Sequence, residues 1–320
     1  MRHLKRLVLV VVLLLAAPRL QAAEGGVTAY APGSFASFMD ALPSKPGFAV
    51  FNYFAWYSGN ANASRSLPIA GEIGASVDAT TYANSPGAFW ITPLGFLGGH
   101  YAVGVSIPIV WTTVSADVTL PAGGTVGRSD SANGLGDIEF WPIVMTWGAL
   151  GGDLHVNFYG GIYAPTGDYK KSRLANQGLN YWTFEPGVIA SYLNQKNGLE
   201  GTTYIAYDFN TNNSTTDYHS GQVFHIDATA AWHFIKLGQK GGVIGVGANG
   251  FWLQQTTADS GSGARLGSFK TSQAGVGPVL SYAAQFSKIG VAASVKWLPQ
   301  IGTDNTVKGN YIWAKLGVTF

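Results

Sequence analysis

The apolar residues of this chain fall on every second position over segments too long for an ordinary sandwich strand. In residues 222–234, Phe224, Ile226, Ala228, Ala230, Trp232 and Phe234 share one parity, and His225, Asp227, Thr229, Ala231 and His233 share the other. Residues 154–164 set Val156, Phe158 and Ile162 against His155, Asn157, Tyr159 and Tyr163. The last segment sets Ile312, Ala314, Leu316, Val318 and Phe320 against Tyr311, Trp313 and Lys315. Residues 69–79 separate Ile69, Gly71, Ile73, Ala75, Val77 and Ala79 from Glu72, Gly74, Ser76 and Asp78. A period of two marks a strand whose faces meet two different environments. Sandwich strands run about 5–6 residues; segments of 10–13 residues are long enough to cross a bilayer at a tilt.

Composition turns this pattern into an architecture. Only 11% of residues are charged although 47% are hydrophobic, against about 25% charged in soluble domains. After Ala17 no apolar run is long enough for a spanning helix. Hydrophobicity spread by alternation suits a closed barrel, where closure leaves no unpaired backbone group facing lipid. The expected fold is therefore an all-β, transmembrane antiparallel β-barrel of about 12 strands: 47–57, 69–81, 100–112, 136–147, 153–165, 181–193, 198–209, 222–234, 242–255, 272–284, 287–299 and 309–320. The short connections 148–152, 194–197, 235–241 and 285–286 are expected on the periplasmic side. The longer polar ones (113–135, 166–180, 210–221, 256–271 and 300–308) are expected outside. Segment 82–99 is long yet periplasmic by parity, and a strand pair hidden there would make the count 14.

Residues 1–23 read as a signal peptide. Arg2, Lys5 and Arg6 precede the apolar run Leu7–Ala17, and Ala22 and Ala23 supply small residues for cleavage. Without them, 19 basic against 17 acidic side chains become 15 against 17. The basicity belongs to the export signal, and a nucleic-acid partner loses its support. Cysteine is absent, which excludes a disulfide framework and thiolate metal sites. Residues 24–46 do not alternate. From Ser34 to Ala41, Phe35, Phe38 and Met39 lie at helical spacing between Gly33 and Pro43; a short helix plugging the lumen or lying at the interface is one reading, and an irregular leader into the first strand is the other. The barrel proper is 47–320.

Several short stretches resemble a known family. They are Glu24-Gly25-Gly26 with Tyr30 and Gly33-Ser34, then Asn133-Gly134-Leu135-Gly136-Asp137 with Pro142. Tyr163 to Tyr169, Asn180 to Pro186, and Tyr218-His219-Ser220-Gly221 through His225 continue the match. Together they are similar to the outer-membrane family named after the meta-pathway of phenol degradation. The resemblance implies a barrel and uptake of hydrophobic or aromatic compounds. The terminal Phe320 likewise resembles the signal by which outer-membrane barrels engage their assembly machinery.

If the apolar parity meets lipid, the polar parity lines the lumen. The resulting candidates for solute contact are Tyr159, Tyr163, Glu185, Tyr204, Asp208, His225, Asp227, Tyr311, Trp313 and Lys315, with Glu72, Asp78, Asp137, Glu139, His155, Asn157, Glu200, His233 and Lys296 also inward. Rings with a few carboxylates and imidazoles suit a small aromatic solute. The competing role is packing, since small barrels fill their interiors and must pair the charges buried there. No cofactor motif is present. Gly134-Leu135-Gly136-Asp137 lacks the helix and Lys-Ser/Thr of a phosphate loop. His225, Asp227 and His233 stand at i, i+2 and i+8, so only His225 and Asp227 could share one metal, and no metal site is expected. A barrel lipase would use His219 and Ser220, but adjacent residues of a strand point to opposite faces, so no catalysis is expected. The expected function is an outer-membrane channel for small hydrophobic or aromatic compounds in a Gram-negative bacterium, with a structural or adhesive barrel as the alternative.

Overall fold

The computed structural model describes residues 26–61, 67–69, 72–119, 124–238, 241–264, 267 and 270–320. The expected signal peptide, 1–23, lies outside the described residues. In chain order the strands are β1 (Gly47–Ala61), β2 (Leu67–Ile69), β3 (Glu72–Phe96), β4 (Gly99–Ser106), β5 (Ile109–Thr119), β6 (Thr125–Leu135), β7 (Ile138–Ala149) and β8 (Leu154–Ala164). They continue as β9 (Thr183–Leu193), β10 (Leu199–Asn210), β11 (Asn212–Asn213), β12 (Tyr218–His219), β13 (Val223–Lys236), β14 (Val243–Gln255), β15 (Ser272–Phe286), β16 (Ile289–Asp304) and β17 (Lys308–Thr319). Around the barrel, β1 pairs β17, the order runs through β16, β15, β14, β13, β10, β9, β8, β7, β4 and β3, and β3 closes on β1. Among the described residues, twelve antiparallel strands make the closed wall. Among the described residues no helix is long and apolar enough to cross a membrane.

The second strand departs from expectation. It does not end at 81 but runs 25 residues, so 82–99 is no periplasmic loop. Its first part pairs with β5 and its last part with β4. Asn84-Ser85-Pro86-Gly87 has turn composition, yet the strand passes straight through it. Pro86 lacks an N–H, and its carbonyl accepts the Ile107 N–H at 2.9 Å in the break between β4 and β5. The missing donor therefore faces a gap in the ladder. The expected outer loop 113–135 is instead the hairpin of β5 and β6, which extends the wall outward along β3.

The outward face carries two aromatic rows. Trp297, Ile312, Trp56, Tyr82 and Trp111 are successive cross-strand partners toward the outer end. Phe48 and Trp90 stack 6.2 Å apart near the periplasmic end, and Phe286, Trp232 and Phe234 are also exposed there. An apolar band between two girdles is how a barrel meets a bilayer. Phe320 is 57% exposed at that lower rim, and its N–H bonds the Phe48 carbonyl at 2.8 Å.

Residues 26–46 run down the lumen from the outer end to the start of β1. Gly26 meets Thr306 in the outer turn between β16 and β17, whose hydroxyl donates to the Gly26 carbonyl at 3.0 Å. Lower down, Leu42 exchanges hydrogen bonds with Asn157. The helix expected over 34–41 is a single 3-10 turn, Phe38–Asp40. A longer helix would satisfy the segment's own backbone, whereas here the barrel wall does so. Lys296 donates to the carbonyls of Gly33 and Phe35, Lys315 to Ser34, Trp313 to Pro32 and Thr229 to Ala36. The Phe38 N–H finds Glu200 at 2.9 Å. Gly33 has φ +80°, a conformation that favours glycine, and a Cβ there would crowd the Leu298 side chain.

Candidate functional site

Strand parity aims the lumenal side chains, and their sizes decide where space remains. On β3 the inward positions are Val77, Ala79, Thr81, Ala83 and Ser85, and on β1 Ala55 adds another small residue. Opposite them the lumenal segment lies against the far wall. The result is a cavity of about 430 Å³ between that segment and the β1–β3–β5 wall. Phe35, Phe51, Tyr53 and Trp141 line it at one level, and Leu174, Gln177 and Thr306 of the outer loops at another. Its polar lining includes Asp137, Glu139, Lys171 and Arg173.

The far wall is packed. Asp227 accepts from the Tyr30 hydroxyl and from the Phe35 N–H. Lys315 pairs with Asp40, which also accepts the Tyr53 hydroxyl at 2.7 Å. The Tyr30 ring stacks on His225 with centroids 3.6 Å apart. His225 Nε2 lies 3.2 Å from Glu185 and 3.3 Å from Asp208, and the Tyr204 hydroxyl donates to the other Glu185 oxygen at 2.5 Å. His233 and Glu200 make a separate pair at 2.7 Å.

The ten candidates for solute contact therefore divide. Tyr163, Tyr311 and Trp313 line the cavity. Tyr159, Glu185, Tyr204, Asp208, His225, Asp227 and Lys315 are buried beside the lumenal segment. Asp78 is a correction: it is exposed on the outer face, while Val77 is buried inside. Above the bilayer the barrel exterior meets water and its mouth encloses a small apolar cluster of Ala61, Val77, Ala116, Val118 and Leu174, so the polarity of the two faces inverts. The side chain of Glu72 lies outside the described residues. Phe51, Tyr53 and Trp141 line the cavity beyond the polar inward set, because lumenal positions here include apolar rings; the run of small inward residues on β3 is the sequence signal for the space they border.

The short motifs meet at the outer rim. Asp137 accepts the N–H groups of Gly167 and Leu179 at 3.0 and 2.7 Å, and the Thr166 hydroxyl bridges Gly136 O and Ile138 N. Gly134-Leu135-Gly136-Asp137 and Pro165-Thr166-Gly167-Asp168 thus anchor the loop after β8. Farther out, Arg173 forks onto Asp130 with contacts of 3.0 and 2.8 Å, and this pairing holds the Asp130 carboxyl down to about 2. His219 Nε2 lies 3.3 Å from Gln222, and the buried Ser220 hydroxyl makes no hydrogen bond.

Comparison with known proteins bears on the fold and the family. The COG4313 outer membrane channel from Pseudomonas putida F1 is similar in structure, with TM-score 0.57 and 11% identity over 91% of this chain and 100% of that one. The β domain of the Bordetella autotransporter BrkA aligns with TM-score 0.42 and 10% identity over 86% and 99%, too distant to carry an argument. No curated protein matches. At such identities the likeness shows the outer-membrane barrel fold alone. The family described as "Putative MetA-pathway of phenol degradation" matches residues 58–316, and the chain belongs to that family.

Proposed function

We propose that the protein is an outer-membrane channel that takes up small hydrophobic or aromatic compounds. The observation that carries this reading is the cavity: about 430 Å³ inside the wall, bounded by alanines and by the rings of Phe35, Phe51, Tyr53, Trp141, Tyr163, Tyr311 and Trp313. That volume suits one small molecule, and rings with few polar groups favour apolar solutes over hydrated ions. Membership of a family named for phenol degradation points to the same class. In this reading residues 26–46 are the plug, residues 1–23 are removed on export, and the exposed Phe320 engages the assembly machinery. The lipopolysaccharide leaflet resists apolar solutes, so a dedicated route has a physical purpose.

The test compares a deletion strain with wild type for growth on a limiting aromatic carbon source, with a small sugar as control. Slower aromatic entry with unchanged sugar entry is expected, together with low ion conductance of the refolded barrel in a planar bilayer. Loss of sugar entry with unchanged aromatic entry would make the protein a general porin and overturn the proposal.

A further inference from the structure

Glu185 on β9, Asp208 on β10 and His225 on β13 converge from three adjacent strands, all with side chains fully buried. One oxygen from each carboxylate and Nε2 of the imidazole lie within 4.8 Å of one another. Both carboxylates compete for the one Nε2 of His225, and both contacts are long, 3.2 and 3.3 Å. The His233–Glu200 pair in the same lumen closes to 2.7 Å, the ordinary length of a charge-assisted bond, about 2.7–2.9 Å. Ligand bonds of about 2.0–2.1 Å in a tetrahedron place neighbouring ligand atoms about 3.3 Å apart.

Two further observations point to a cation. Asp208 Oδ2 is buried and meets no hydrogen-bond donor, and neither does Oε1 of nearby Glu139. Two carboxylates face one imidazole, so their full ionisation leaves an excess of negative charge among side chains that are fully buried. Nitrogen and carboxylate oxygen without thiolate suit zinc or a similar divalent transition metal.

We infer that Glu185, Asp208 and His225 form a binding site for a divalent transition-metal ion of the zinc type, tying three strands together behind the solute cavity. Tyr30 stacks on the imidazole, so the ion also braces the lumenal segment. Tyr163 links the site to the cavity, since its hydroxyl reaches Glu185 at 3.3 Å and its side chain lines the cavity wall.

The test uses full-length mature barrel refolded in detergent, free of lipopolysaccharide, which itself binds divalent cations. After chelation and dialysis, Zn²⁺ is titrated by calorimetry and Co²⁺ by visible absorption. Expected are one equivalent of Zn²⁺ and the intense Co²⁺ bands of a tetrahedral site. Asp208→Asn and His225→Gln should each weaken binding by more than about tenfold, while His233→Gln leaves it unchanged. Absence of stoichiometric binding in the wild type overturns the proposal, as does binding that survives His225→Gln. If either variant fails to fold, judged by heat-modifiable migration, the wild-type Co²⁺ spectrum decides. Weak six-coordinate bands would mark a surface ion and refute the site.

Discussion

The two sides of the lumen are built from different residues. The wall formed by β9, β10, β13, β16 and β17 presents Glu185, Tyr204, His225, Asp227, Lys296 and Lys315, each at most 3% exposed against the lumenal segment. The wall formed by β1, β3 and β5 presents mostly Ala, Ser, Thr and Val, and the cavity lies beside it. Both follow the same inward parity of an antiparallel barrel. Side-chain volume, and the side on which residues 26–42 lie, make one half a core and the other half a space.

The contrast makes four measurable demands on stability and uptake. Lys315→Ala strands Asp40 without its cation inside the packed half, where breaking a buried pair costs about 3–5 kcal/mol. Urea unfolding of the refolded barrel should show this loss, and limited proteolysis should newly cleave within 26–46. An unchanged midpoint would mean that the packed wall does not hold the segment. Lys296→Met keeps the stem but leaves the carbonyls of Gly33 and Phe35 without their donor. About 1–3 kcal/mol is expected by the same measurement.

On the cavity side the sensitivity should reverse. Ala83→Phe grows into open space, so stability should change by no more than about 1 kcal/mol, while aromatic uptake falls several-fold. A large stability loss without an uptake defect would show that the cavity closes in the working protein. The smallest effect lies outside the bilayer, where Asp130 is three residues beyond Asn133, the partner of Trp111 in the outer aromatic row. Arg173 lowers the Asp130 carboxyl from 3.8 to about 2. A depressed acid contributes stability above its unfolded value and loses it as pH falls through the folded one. The loop bearing Arg173 should therefore loosen only as pH drops from about 4 through about 2. Hydrogen exchange at Ala175, whose N–H bonds Asp130, would report it, and Asp130→Asn should abolish the transition.

Much of the barrel was legible because strand parity is a local property. The patterns at 154–164, 222–234 and 309–320 correctly place Tyr159, His225, Lys315 and their neighbours inward. Local composition misled where context overrode it. Asn84 to Gly87 looks like a turn but crosses a seam that needs no donor, and residues 76–79 obey the opposite rule because they stand above the lipid.

The order of residues along the chain specifies a closed barrel of bilayer-length strands, its aromatic outer face and the lumenal side of residues such as Tyr159, His225 and Lys315. Alternation, strand length and scarcity of charge demand these whatever the partners. The path of residues 26–46, the site of the cavity and the meeting of Glu185, Asp208 and His225 arise instead from packing across the closed barrel. Tyr30 and Asp227 are 197 residues apart, and Lys315 and Asp40 are 275 apart. Such contacts cross the lumen, so they depend on barrel closure and on which side chains leave room, and no period in the sequence records either.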